Sequence, residues 1–177
     1  MKTSNSTSVM FNIVLVCTAL LTALIGGLFY AWSCSVTVGL AKVPDNVYMA
    51  AMQSMNREIL NPVFFLSFMG TWIMLPICTW MSYKQPEIGR FWFLLAATII
   101  YWVGIFGVTS FGNVPLNDAL DKFDLANATE QAISAHRLKF EGPWNRLNTV
   151  RTIASVLTIL CVILACVYPL FKSSKEL

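Results

Sequence analysis

The sequence predicts an all-α integral membrane protein: a four-helix bundle with short amphipathic helices in its two outer loops. Two features of its composition point there. Hydrophobic residues make up 56% of the 177 and charged residues only 12%, and mean hydropathy is +0.64. A third is the distribution of the apolar residues, which gather into four runs, each long enough to cross a hydrocarbon core of about 30 Å as a helix. A single membrane domain accounts for this pattern, with spans at about 10–32, 60–81, 91–111 and 152–171 and outer loops at 33–59 and 112–151.

The amino-terminal stretch Met1 to Ser8 is polar and carries Lys2, and no further charge appears until Lys42. Met10 to Trp32 therefore reads as the first span. A cleaved signal peptide is the competing reading, but the apolar run is too long and no small-x-small site follows it at the usual distance. Gly26 and Gly27 allow close approach of a neighbouring helix, and Tyr30 and Trp32 suit an interfacial belt. Lys42 to Ile59 is a loop with a short helix started by Pro44 and Asp45. Met49, Met52, Met55 and Asn56 recur there at helical spacing, which places methionines in lipid or on the bundle. Leu60 to Met81 is the second span, opened by Asn61-Pro62, where the first turn needs no donor from proline. Pro76 is expected to kink or fray its far end. After the connector Ser82 to Arg90 comes the third span, Phe91 to Phe111, ended by Gly112.

Asn113 to Arg151 is about forty residues long, too long to be structureless. Leu116, Ala119, Leu120 and Phe123 are spaced i, i+3, i+4, i+7 and predict one amphipathic helix. Asn127 with Glu130 reads as a capping pair for a second, carrying Ala132, Leu138 and Phe140. Both are expected to lie on the membrane surface or cap the bundle. Pro143-Trp144 then restarts a helix that runs into the fourth span, Thr152 to Phe171.

Orientation follows from basic residues in short segments. Lys2, Lys84, Arg90, Lys172 and Lys175 stand against Glu87 and Glu176, whereas charges in the two longer loops balance. Both termini are expected to be cytoplasmic, in a bacterial inner membrane, with both long loops on the opposite side.

Several function classes are disfavoured. The twelve Lys and Arg are spread against nine acids, so no basic face is dense enough for nucleic acid. Cys17, Cys78, Cys161 and Cys166 lie in apolar runs, Cys34 has no loop cysteine to pair with, and no C-x-x-C occurs; neither a disulfide framework, a zinc site nor thiol-redox chemistry is expected. The lone His136, beside Arg137 and Lys139, reads as a surface histidine, and no metal site is expected there or at the methionines. The spans hold no Asp or Glu for proton coupling, which weakens transport, with a homo-oligomer left open.

One constellation carries chemistry. Asn61 opens span two, Asn113 to Asn117 closes span three, and Trp144 to Arg151 leads into span four, all at the outer face. On a helix Trp144, Asn148, Arg151 and Ser155 share one stripe, and Arg151 falls next to the hydrocarbon, where its guanidinium should face the bundle interior or a wet pocket. The functional reading is a pocket open to the outer leaflet, with Arg151 as the fixed charge and Asn61, Asn113, Asn117 and Asn148 as neutral hydrogen-bonding partners. The bland reading makes the asparagines helix caps and pairs Arg151 with a carboxylate such as Asp118 or with helix-terminal carbonyls.

Gly112-Asn113-Val114-Pro115-Leu116-Asn117 after an apolar span, with Leu147-Asn148-Thr149-Val150-Arg151-Thr152 leading into the last one and Asn61-Pro62 opening the second, resembles the family of small four-helix membrane proteins that includes the anthrone oxygenases. Leu147 and Thr149 depart from the Trp and His that flank the second motif's Asn in many members. The resemblance implies oxygenation of an electron-rich polycyclic phenol to a quinone without metal or flavin. Arg151 and Asn148 would then be catalytic, Asn61, Asn113 and Asn117 would position the substrate, and Trp144 and Tyr30 would stack on flat rings. The expected function is oxidation or binding of a hydrophobic aromatic or quinone-type molecule drawn from the bilayer, with no cofactor. The alternative is a non-enzymatic subunit that binds a lipid or a protein partner through its outer loops.

Overall fold

The computed structural model describes residues 2–173 apart from 86, and the side chains of 9–168 apart from 86. Its elements are helices: α1 (Lys2–Ala31), α2 (Thr37–Leu40), α3 (Asp45–Glu58), α4 (Pro62–Tyr83), α5 (Ile88–Ile100), α6 (Val114–Asp121) and α7 (Glu130–Ser173). Three π-helical stretches, Trp32–Val36, Tyr101–Gly107 and Thr109–Asn113, join α1 to α2 and α5 to α6 into continuous rods. Four helices are long and apolar enough to cross a membrane: Val9–Leu40, Pro62–Tyr83, Ile88–Asp121 and Glu130–Tyr168.

The four pack in a ring, α1 against α4, α4 against α5, α5 against α7 and α7 against α1. Their outward faces are apolar, with Leu20, Leu24, Val63, Leu66, Ile99 and Ile153 all exposed, as lipid contact requires. Inside lies a core that includes Phe11, Ile25, Phe68, Leu75, Leu94 and Tyr101. Lipid offers no hydrophobic drive for helices to associate, so close approach and hydrogen bonds matter more. Small residues supply the approach: a Cβ on Gly104 would stand 2.7 Å from Ala154 Cβ, and one on Gly26 2.6 Å from Ile159 Cδ1. Gly27, the second glycine expected to do this, faces open space. Thr79 and Thr98 meet at 2.9 Å between α4 and α5, and Tyr101 donates to the Phe68 carbonyl at 2.6 Å.

Above the bundle α3, α6 and the first half of α7 build a cap with its own core of Tyr48, Met49, Met52, Leu120, Phe140 and Trp144. The methionines of α3 are therefore packed in protein, with Met49 0% and Met52 1% exposed, and not laid into lipid. Arg137 pins the cap together. It binds Glu141 at 2.7 Å and Asp45 at 2.8 Å, donates to the Val43, Leu40 and Ala41 carbonyls, and covers the Tyr48 ring at 4.3 Å. It thereby terminates α2 and starts α3 with one side chain. Burial pushes the Tyr48 phenol above its ordinary range, with Glu141 adding to the rise and Arg137 opposing it.

Several element boundaries differ from expectation. The first helix does not stop near residue 32 but continues to Leu40. Gly112 does not end the third span: no described residue has positive φ, so the left-handed cap that glycine would provide is absent there. Gly112 serves close approach instead, since a Cβ there would lie 2.9 Å from Leu147 Cδ1. Pro115 sits at the first turn of α6, where a helix tolerates proline. Asn127 does not cap α7: its side chain is held by Asp124, while Thr129 Oγ1 accepts from the Ala132 amide at 3.3 Å. Pro143 restarts nothing, because α7 runs through it; burial of Phe140 and Trp144 on either side in the cap core offsets the hydrogen bond that proline forfeits. Pro76 likewise lies inside α4, which continues to Tyr83. The terminal charges that bear on orientation, Lys2, Lys172, Lys175 and Glu176, lie outside the described side chains.

Candidate functional site

The site lies where the cap meets the bundle, and α7 crosses that junction. Its stripe of Trp144, Asn148, Arg151 and Ser155 faces inward, each residue at most 6% exposed. Ser155 is spent on the helix itself, donating to the Arg151 carbonyl at 2.7 Å. Two of the π-helical stretches face this stripe. The wider turn of a π-helix re-aims side chains within a rod and recurs at functional sites; here Trp32–Val36 brings Trp32 and Ser33, and Thr109–Asn113 brings Thr109 and Asn113.

The polar network has one consistent direction. Arg151 Nη2 donates to Asn148 Oδ1 at 2.9 Å, which leaves Asn148 Nδ2 to donate to Ser33 Oγ at 2.9 Å. Ser33 and Thr152 hydroxyls are 2.7 Å apart, and Thr152 Oγ1 in turn reaches the Phe29 and Asn148 carbonyls at 3.0 and 2.9 Å. Because guanidinium only donates, the chain fixes the Asn148 amide with oxygen toward Arg151.

Arg151 itself is under-satisfied. Nη1 reaches Thr109 Oγ1 at 3.4 Å, and Nε is buried with no hydrogen-bond partner among the described residues. The guanidinium lies 4.5 Å from the Phe29 ring centroid and 5.4 Å from that of Trp144. None of the three ion pairs among the described residues involves it, so neither Asp118 nor a helix-terminal carbonyl neutralises it as the bland reading required. Two aromatic faces compensate a buried cation only in part, and a desolvated charge without a counter-ion costs several kcal/mol. Such an arrangement is complementary to a bound anion.

A cavity of about 80 Å³ opens beside it, walled by Phe29, Trp32, Asn56, Thr109, Asn117, Trp144 and Arg151 among others. Asn56 Nδ2 is a second buried donor without a partner. Trp144 donates from Nε1 to Asn117 Oδ1 at 2.8 Å and stands against Trp32 with ring centroids 5.3 Å apart. Asn113, wholly buried, holds the Trp144 carbonyl through Nδ2 at 3.4 Å, and its Oδ1 has no partner among the described residues. No carboxylate, imidazole or thiol lines the cavity, and no cluster of three His, Cys, Asp or Glu is present among the described residues.

Of the residues expected at a site, Arg151, Asn148, Asn113, Asn117 and Trp144 meet at this junction. Asn61 does not join them: it caps α4, accepting from the Phe64 amide at 3.0 Å and donating to the Glu58 carbonyl at 2.8 Å. Tyr30 faces outward, 58% exposed. Sequence reasoning missed Phe29, Ser33, Asn56 and Thr109. Asn56 had a signal in its helical spacing with the α3 methionines, whereas Ser33 and Thr109 arrive through π-helical turns that no local pattern announces.

The sequence profile of the anthrone oxygenase family matches residues 63–161. The chain belongs to the anthrone oxygenase family. No curated protein and no solved structure matches it. The anthrone oxygenase match spans α4 to the bundle half of α7 and so contains Asn113, Asn117, Trp144, Asn148 and Arg151. The contributions of α1, the π-helical stretch after it and α3, namely Phe29, Trp32, Ser33 and Asn56, lie outside it. In this member of the anthrone oxygenase family Leu147 packs over Gly112, and Thr149 is exposed and bonded to the Asn145 carbonyl at 2.9 Å.

Proposed function

We propose that the protein is an oxygenase-like membrane enzyme that binds a hydrophobic aromatic or quinone-type molecule as its oxygen anion and oxidises it at the cap–bundle junction. The observation that carries this reading is Arg151: a buried cation with no anionic partner and a free Nε at the wall of a cavity. Family membership supports the reaction class. For an anthrone the balance is a ring methylene and a molecule of dioxygen going to a ring carbonyl and a molecule of water. The ring carbanion gives an electron to oxygen, the radical pair joins as a peroxide, and water leaves as the carbonyl forms.

The chain's own part is electrostatic. With no base on the cavity wall, Arg151 favours ionisation of the bound phenol or enol by stabilising its anion, to which carbanion character is conjugated. Asn148 holds the guanidinium in place, and Trp144, tethered by Asn117, packs beside it and walls the cavity that receives the anion. The site is proposed to face away from the cytoplasm, with both termini cytoplasmic in a bacterial inner membrane. The connector's Lys84 and Arg90 against Glu87 support this orientation.

The test uses dithranol, a dihydroxylated anthrone, and follows oxygen uptake and formation of its quinone, danthron, above the uncatalysed rate. Arg151→Ala should lose at least about 100-fold in turnover, the size expected for removal of an anion-stabilising donor, while still inserting and purifying. An active, normally binding variant would overturn the reading. A stoichiometric protein partner copurifying in place of any aromatic ligand would favour the alternative, a non-enzymatic binding subunit.

A further inference from the structure

The cavity beside Arg151 is small for a polycyclic molecule: about 80 Å³ against the roughly 300–1,000 Å³ of sites that enclose drug-sized ligands. Next to it, on the flank of the bundle between α1 and α4, lies a groove of about 500 Å³. Leu28, Ile59 and Phe64 line both spaces, so groove and cavity adjoin at these side chains. Leu24 and Val63 on the groove's rim are 57% and 78% exposed and belong to segments apolar enough to span a membrane. The rim of the groove therefore carries side chains of the kind that face hydrocarbon.

Resting on the reading above, we propose that this groove is the ring-binding subsite. A flat polycyclic molecule enters sideways from the bilayer, lies along α1 and α4, and passes one acidic phenolic or enolic oxygen between Leu28 and Phe64 to Arg151 Nε and Asn56 Nδ2. The two ends of such a ligand match the two spaces. The groove is almost wholly apolar, contributing Ser67 and the already bonded Asn61 as its polar groups. The cavity holds two buried donors without partners and no carboxylate. Phe64 brings an aromatic cluster to the groove wall: its ring lies parallel to Phe68 within 13° at 5.2 Å, Phe68 continues to Phe106 at 5.7 Å and 22°, and Phe65 meets Phe64 edge-on at 5.5 Å. An aromatic wall favours a flat ring over an acyl chain. Asn56 thereby becomes a substrate-positioning residue supplied by the cap, outside the stretch matched by the family profile.

The test compares two phenols in phosphatidylcholine vesicles holding the full chain. Danthron has three fused rings and para-nitrophenol one, and both change colour on ionisation, so bound phenolate is read by absorbance. Leu24→Trp and Val63→Trp fill the groove without touching the cavity; Ile99→Trp, on a lipid-facing surface of α5, is the control. The groove variants should weaken danthron binding at least tenfold and change para-nitrophenol binding less than twofold, with the control unchanged for both. Asn56→Leu should weaken both phenols severalfold. Equal loss of both phenols in the groove variants would mean a general distortion, and no loss of either would put the rings elsewhere; each result overturns the subsite. Displacement of danthron by oleate at concentrations below danthron's own would make the occupant an acyl chain and also overturn it. If the wild type binds neither phenol as its anion, the anion-binding reading of Arg151 fails, and the subsite with it.

Discussion

Asn148 is held between a cation and a hydroxyl, and that position makes it the most informative side chain to change. Its Oδ1 is 2.9 Å from Arg151 Nη2, so Asn148→Asp would place a carboxylate on the guanidinium in nearly the same volume. The bound anion would lose its attraction while the buried charge gained a partner, and function and stability should move in opposite directions. Danthron binding is expected to fall at least tenfold with the melting temperature unchanged or raised by a few degrees, at roughly 2–4 °C per kcal/mol for a chain of this size. A melting temperature lower by more than about 5 °C would show that the network, and not the missing counter-ion, dominates. At this scale the sequence spoke clearly within α7, because spacings of three and four residues put Trp144, Asn148 and Arg151 on one face whatever the fold. It was silent on Ser33, Phe29 and Thr109, whose arrival depends on how other helices are rotated. For Asn61 it left cap and ligand both open, and the Phe64 amide is the partner that makes it a cap.

At the scale of elements, α7 does most of the building. Its 44 residues span roughly 65 Å at 1.5 Å per residue, about twice a hydrocarbon core, so one rigid rod serves both bundle and cap. The sequence concealed this because Pro143 and Gly142 punctuate it, and a proline inside a helix normally marks a boundary. The cap's attachment was hidden as well: Arg137 bonds mainly to backbone carbonyls and to Asp45, 92 residues away, and carbonyls carry no sequence signal. Arg137→Met should therefore loosen the cap and spare the bundle. Its carboxylate partners are 40% and 22% exposed, so the cost is set at about 2 kcal/mol, below the 3–5 of a fully buried pair. Hydrogen exchange should speed up across residues 41–58 and stay unchanged in α4 and α5. Uniform acceleration through all helices would mean that cap and bundle unfold as one unit.

The whole molecule has two cores, one inside the lipid-facing helices and one formed by the cap, with a charge stranded between them. The bundle was legible from four apolar runs, because length and hydropathy alone decide what can cross a membrane. The cap was legible only as amphipathic pieces, since its partners are each other. The proposed sidedness can be checked with the protein's own thiols. Cys34 is exposed near the cap, whereas Cys78 is buried, Cys161 and Cys166 are partly covered, and Cys17 is exposed on the apolar flank of the bundle. A membrane-impermeant maleimide added to intact cells should modify Cys34 alone, and a Cys34→Ala variant should take up none. Labelling that appears only after lysis would put the cap on the cytoplasmic side.

The π-helical stretch Thr109–Asn113 also decides where the chain can lose a residue. A π turn accommodates one residue more than an α turn, so this part of the rod from α5 to α6 holds one residue in surplus. Phe111, 85% exposed in that stretch, makes few contacts of its own, and Phe111→Ala should be nearly silent in stability and danthron binding. Deleting Phe111 should let the stretch relax to ordinary α-helix with every later residue keeping its face, so that Asn117 still meets Trp144 and Leu120 still enters the cap core. Deleting Asp118, in the ordinary α-helix of α6, should instead swing Leu120 by about 100° out of the cap core and weaken danthron binding at least tenfold. Equal loss of binding from both deletions would show that the π turn itself, and not the register after it, holds the site.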